Sequence, residues 1–247
     1  MRVLIVLLPL LVACQKAPVE QVQRKAPFVL DEAKAARLKG TVVYRGKPDA
    51  AVVVDMDQDP ACQALYKSGA RRQQQIVVDK QGGLGNVYLY IASGLPDREY
   101  AVPKEPVTID QRGCWFEPRV MGVMAGQTFA VTNSDPVTHN IHPMPEKNRE
   151  WNQSMAPGDE PLERRFVRPE VMIPVKCNVH RWMRAWVGVT EHPYFAVTGV
   201  DGSFALPALP PGDYTLVAWH EKLGRHEERV KLGERQQLAL TIELRGE

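Results

Sequence analysis

The chain has 247 residues, 44% hydrophobic and 24% charged, with a net charge of +2. That composition excludes a disordered or fibrous chain, and without a dominating Lys/Arg block it excludes a strongly electrostatic nucleic-acid binder. The 18 glycines and 20 prolines are many for a helical protein and fit a turn-rich β protein of one large or two to three small domains.

Arg2 precedes an apolar run, VLIVLLPLLVA at 3–13. The run is shorter than the about 20 residues a membrane-spanning helix needs, and with its basic start it reads as a secretory signal. It ends Leu11-Val12-Ala13-Cys14, which resembles the bacterial lipobox. The resemblance implies a signal at 1–13, lipid on Cys14 and anchoring on the periplasmic side of a membrane. Gln15, rather than Asp, favours the outer membrane. Residues 14–37 are polar, with Pro18 and Pro27, and read as a tether with one short helix near Asp31. Its first fifteen or so residues reach at most roughly 50 Å.

Strand-like runs follow at 41–44, 51–54, 75–78, 86–91, 107–109, 128–132, 171–176, 185–190, 203–206, 214–219 and 238–243. They are short and separated by Gly, Pro, Asn or Asp, the pattern of all-β sandwiches or barrels. The stretch 145–165 is rich in Pro, Gly and charge and reads as a surface loop. It carries Trp151 and Met155, with Met144 just before it.

The four cysteines are Cys14, Cys62, Cys114 and Cys177. An exported chain meets an oxidising compartment, where disulfides persist. With Cys14 acylated, three remain, and one must stay unpaired. Cys62, in a polar loop, and Cys114, after Gly113 at the start of a strand, have no His or Met nearby and form the natural pair. Cys177 differs: it opens Cys177-Asn178-Val179-His180-Arg181-Trp182-Met183.

Upstream of that motif stand Phe116-Glu117-Pro118, Gly126-Gln127-Thr128, Asn133 and then His139-Asn140-Ile141-His142. Blue copper needs a thiolate and two imidazoles in a plane with a weak axial thioether. A Cys, a His three on and a Met three further let one tight turn aim three side chains at one ion. Over about 105–190 these motifs resemble the cupredoxins of the amicyanin and plastocyanin kind. The resemblance implies a Greek-key sandwich holding one type 1 copper on His139, Cys177, His180 and Met183. It also implies that Asn140 stiffens the copper loop by hydrogen bonding, and that the ring edge of His180 reaches the surface to pass electrons, with Trp182 and Met183 beside it. His142 is the runner-up to His139; on a strand the two face opposite sides. A thioether ligand argues for copper over zinc, and the lack of C-x-x-C-H argues against attached haem.

From 191 to 247, apolar alternation around Asp201-Gly202 and Pro210-Pro211-Gly212 gives a hairpin-rich unit. It resembles the carboxypeptidase regulatory-like, transthyretin-like β-sandwich, an accessory Ig-like fold. His220-Glu221-x4-His226 lacks the H-E-x-x-H spacing of a zinc peptidase. Gly40-Thr41-Val42-Val43-Tyr44 resembles the opening strand of such a module, so 38–104 either completes a sandwich with the C-terminal region or extends the cupredoxin. The whole chain also resembles bacterial methylamine-utilisation and plastocyanin-like proteins. The reading is a lipid-anchored blue-copper carrier, not an enzyme, that moves single electrons between redox protein partners. Two alternatives stand beside it: copper storage or delivery using Met144, Met155, Met172 and His142, and a metal-free cell-surface binding module.

Overall fold

The computed structural model describes residues 25–57, 59–66 and 71–246. The signal segment and Cys14 lie outside them. Among the described residues the chain is all-β apart from one five-residue helix, Pro60–Ala64. The strands build two sandwiches, each with its own core.

The central sandwich packs a five-stranded sheet on a four-stranded one. The first runs in the order Gln153–Met155, His139–Pro143, Glu170–Lys176, Arg184–Thr190, Val120–Met124. The second runs Leu162–Arg164, Phe129–Asn133, Val107–Gln111, Phe116–Glu117. Alternation along the strands turns Ile109, Phe129, Val131, Ile141, Val187 and Val189 inward, where each is fully buried. A side chain of this kind stabilises by about 1.5–3 kcal/mol when taken from water. The stretch 145–165 is not wholly a solvated loop. It supplies an edge strand to each sheet: Gln153 pairs with Ile141, and Leu162 pairs with Val131. Three-residue strands between Pro and Gly are too short for alternation to show in sequence.

In the second sandwich, Arg37–Arg45 runs parallel to Gln237–Arg245 over nine residues, with Ser203–Ala205 on its other side. The facing sheet has the order Phe195–Val197, Tyr88–Ser93, Gly212–His220, Gly224–Leu232. The segment 38–104 is therefore divided. Its strands at 37–45 and 88–93 join the C-terminal strands, while Val54, Met56 and Cys62 enter the central core. Tyr88–Ser93 and Phe195–Val197 pair with each other, so the chain leaves and rejoins the second sandwich on neighbouring strands and the central one is inserted between them. Gly202, at φ +75°, lets the Asp201-Gly202 turn lie against the backbone of Val42 and Leu84, where a Cβ would collide.

Part of the stretch 14–37 read as a tether, from Phe28 to Ala36, packs on the second sandwich. Phe28 N–H donates to Glu99 O at 2.7 Å, its ring packs on Tyr100, and Ala36 is fully buried. No helix forms near Asp31. The Asp31 carboxylate accepts the Ala33 N–H at 3.1 Å, an Asx-type turn that competes with helix formation.

The sandwiches meet at Arg119 and Glu221. The guanidinium makes a two-pronged pair, Nε to Oε1 at 2.6 Å and Nη2 to Oε2 at 2.8 Å. Trp186 Nε1–H also points at Oε2, at 3.4 Å, and both charged side chains are largely buried. Tyr88, Val120 and Met172 form a small apolar cluster of their own.

Candidate metal centre

One end of the central sandwich gathers the candidate ligands. His139 opens strand His139–Pro143, and Cys177 immediately follows the neighbouring strand Glu170–Lys176. Residues 177–183 then turn back into Arg184–Thr190. Cys177 N–H donates to Met183 O at 3.2 Å and Met183 N–H to His180 O at 2.9 Å, so the turn is closed by its own backbone. The rigid sheets thus fix where the side chains point.

The Nδ1 atoms of His139 and His180 are 2.9 Å apart, and Cys177 Sγ lies 3.8 Å from His180 Nδ1. All three donor atoms fall within 4.8 Å of one another, and all three residues are buried. Around a single ion, bonds of about 2.0 Å to nitrogen and 2.3 Å to sulfur at trigonal angles would separate N and S by about 3.7 Å. The Cys177–His180 separation of 3.8 Å matches, while the two Nδ1 atoms, at 2.9 Å, sit closer than the about 3.5 Å that two such nitrogens would keep. Met183, in the same turn, is fully buried.

The far nitrogens have their own partners. His139 Nε2 lies 2.7 Å from Asp135 Oδ2, and His180 Nε2 lies 2.7 Å from Asp59 Oδ2. An ionised carboxylate only accepts, so each Nε2 carries a proton and each Nδ1 is free to offer a lone pair. Two such lone pairs and a sulfur converging in a buried space match a borderline-soft cation.

The sulfur is prepared for that role. Burial alone would raise the Cys177 thiol, but hydrogen bonding with His139 and His180 and from the N–H groups of His180 and Asn140 outweighs it and brings the pKa down to about 6. For both histidines burial opposes the charged ring, yet it is outweighed, for His139 by Asp135 and Cys177 and for His180 by Cys177 and Asp59, and both end above the ordinary imidazole value. Asp59 is held low chiefly by His180. Asp135 is raised by burial but ends low through His139 and the N–H groups of Cys114 and Gly113. A cation bound by the sulfur and the two Nδ1 lone pairs would displace the thiol proton.

Asn140 links the two ligand segments: its Oδ1 accepts the Asn178 N–H at 2.6 Å. His142 stands outside the trio. It sits on the opposite face of the strand, with Nε2 2.6 Å from Glu150 and Nδ1 3.2 Å from Asn178.

The expectation that the ring edge of His180 reaches the surface fails, for His180 is only 2% exposed. The Asp59 segment covers it. Asp59 caps the short helix, its Oδ1 accepting from Ala61 and Cys62 N–H, while Oδ2 takes His180. Cys62 is bonded to Cys114 across a Cα separation of 5.8 Å, and its Sγ lies 3.6 Å from His180 Nε2. Trp182 remains half-buried, its ring centroid 5.2 Å from that of His180 and its Nε1–H on Cys114 O. Val179, beside His180 in the chain, is 63% exposed.

Asp59 and Asp135 were not among the residues singled out in sequence. Asp59-Pro60 carried a helix-start signal, a capping residue followed by proline, but nothing local tied it to His180, some 120 residues later.

No family model matches the chain, and no curated protein matches it. Among solved structures it is similar to a Cu-containing nitrite reductase (NirK) from Thermus scotoductus SA-01, at 20% identity and TM-score 0.33, over 40% of this chain and 25% of that one. The chain thus spans about a quarter of the reductase. It is also similar to a purple cupredoxin from Nitrosopumilus maritimus, at 22% identity and TM-score 0.30, over 34% of this chain and 99% of that one. A variant of amicyanin in its Cu(I) form shows 20% identity and TM-score 0.31, over 41% of this chain and 97% of that one.

Proposed function

We propose that the chain binds one type 1 copper on His139, Cys177, His180 and Met183 and carries single electrons between redox protein partners. The observation that supports this most is the convergence of Cys177 Sγ with both Nδ1 atoms inside a buried pocket. Copper bound there would supply a one-electron couple. The protein's part is pre-organisation. Cys177 is aimed by the closed 177–183 turn and held by two N–H groups. The imidazoles are pinned from behind by carboxylates, so little has to move when the charge changes. His139 and Met183 are fully buried, which excludes water. With four protein ligands no position is left for a substrate, which favours a carrier over an enzyme.

Since His180 is capped, the route to a partner runs through Trp182, which packs on the His180 ring and keeps a solvent-facing edge. Lipid on Cys14 would hold this carrier at the periplasmic side of a membrane, the outer membrane by the Gln15 signal. Storage on soft side chains has less support. Met155 is packed in the central core and Met172 against Tyr88 and Val120, so neither stands beside His142 as a mobile thioether.

The test is the visible spectrum of the purified protein with Cu(II). An intense thiolate-to-copper charge-transfer band, lost in Cys177→Ser, is expected. Its absence from the unaltered protein would refute the reading.

A further inference from the structure

Both imidazoles of the candidate centre present their far nitrogen to a carboxylate rather than to solvent or a backbone carbonyl. The two carboxylates come from unrelated parts of the chain. Asp135 lies in the turn after strand Phe129–Asn133. Its side chain is 4% exposed and also accepts the N–H groups of Gly113 and Cys114, each at 2.6 Å. Asp59 heads the helix Pro60–Ala64, which the Cys62–Cys114 disulfide fastens over His180, and its side chain is 26% exposed. Capping that short helix uses only Oδ1; Oδ2 is turned to His180.

A hydrogen bond alone does not require a charged acceptor here. A carbonyl oxygen would satisfy Nε2–H equally well. A carboxylate adds a full negative charge next to a ligand ring in a buried place, where charge is weakly screened. With Cu(II) and the Cys177 thiolate the site would carry one net positive charge, which two carboxylates more than neutralise. With Cu(I) the same groups would leave an excess of two negative charges. The arrangement therefore favours the more highly charged ion.

We propose that Asp59 and Asp135 are a pair of positioning residues: they fix the Nε2–H form of His180 and His139, aim both Nδ1 atoms at the metal, and bias a bound copper toward Cu(II). The bias toward Cu(II) rests on the copper reading above; the fixing of the two rings does not. Removing an outer partner of a metal-bound imidazole changes metal affinity by about tenfold or more. For a one-electron couple a tenfold change is about 59 mV.

Asp59→Asn keeps a good helix cap and removes the charge. It should lower the Cu(II)-over-Cu(I) affinity ratio, seen as a rise in the midpoint by spectroelectrochemistry, about 59 mV for each tenfold. The more deeply buried Asp135→Asn should shift it at least as far, provided it folds. A residue that only braced the fold would lower the melting temperature without moving the midpoint. In the metal-free protein, proton NMR should show a slowly exchanging, hydrogen-bonded Nε2–H on both rings. Asp59→Ala should abolish the His180 signal and leave that of His139. If the unaltered protein gives no charge-transfer band with Cu(II), the copper reading falls while the NMR comparison still decides the positioning of the rings. An unchanged midpoint in Asp59→Asn overturns the bias toward Cu(II). An unchanged His180 signal in Asp59→Ala overturns the positioning role.

Discussion

Breaking the Cys62–Cys114 bond should cost the central sandwich much of its stability and loosen the cover on His180. The two residues are 52 apart in sequence, and both are fully buried in the central core. Chain-entropy reasoning for a closed loop of this length gives about 4 kcal/mol at 25 °C, by removing conformations from the unfolded chain. That is a large share of the about 5–15 kcal/mol typical of a folded domain. The double variant Cys62→Ala/Cys114→Ala makes the change without leaving a thiol at either position. Urea unfolding of the two proteins, followed by tryptophan fluorescence, gives the difference. With two sandwiches the transition need not be two-state, and the loss belongs in the step that unfolds the central one. A second readout concerns the site. The segment carrying Asp59 loses its covalent tie, so added imidazole should reach the metal and perturb the spectrum of the copper-loaded variant but not of the parent. A loss below about 1 kcal/mol would refute the entropic argument. Equal resistance of the two spectra to imidazole would mean that the Asp59–His180 contact holds the cover by itself.

Other substitutions separate the roles of the ligands and of the junction. Met183→Gln should keep copper bound and the charge-transfer band present while lowering the reduction potential, because a hard amide oxygen favours Cu(II) where a thioether favours Cu(I); spectroelectrochemistry reads the sign. His139→Ala should open the site to exogenous imidazole, whereas His142→Ala, whose ring nitrogens meet Glu150 and Asn178, should leave the spectrum unchanged; the reverse pattern would make His142 the ligand. Arg119→Met leaves Glu221 buried without its partner and should destabilise by about 3–5 kcal/mol in chemical denaturation, with Arg119→Met/Glu221→Met recovering much of the loss. For Glu221, burial raises the pKa but the Arg119 pair outweighs it, so the folded value is below the ordinary 4.5. Its contribution is therefore present above the unfolded value and lost as pH falls through the lowered folded one. Denaturation between pH 6 and 3 should show a steeper acid loss in the parent than in the double variant, which keeps the other lowered carboxylates, Asp59 and Asp135 among them.

Much of this molecule is legible in one dimension. Short strands punctuated by Gly, Pro, Asn and Asp dictate an all-β chain, because a pleated strand must bury alternate side chains and turn often. The order His139, Cys177, His180, Met183 is equally local: three of the four residues lie within seven positions, and one backbone-closed turn suffices to bring them round. The odd cysteine count and the differing surroundings single out Cys62 and Cys114, whose bond the structure contains.

What only the tertiary structure decided is how distant segments meet. The division of 38–104 between two cores depends on Arg37–Arg45 finding a parallel partner some two hundred residues later, and no periodicity announces a partner. The short edge strands at 153–155 and 162–164 exist only because a sheet was there to receive them. Most consequential is the burial of His180. Its neighbours in sequence, Asn178, Val179 and Arg181, are exposed, and the sequence alone leaves the ring at the surface. It is covered because a disulfide carries Asp59 onto it, placing a second carboxylate behind the site as Asp135 does for His139. The candidate ligands are proposed from side-chain chemistry and short spacing, which a sequence displays; the cover on His180 and the Asp59 carboxylate behind it arise from a contact across 121 residues, whereas Asp135 stands only four residues before His139.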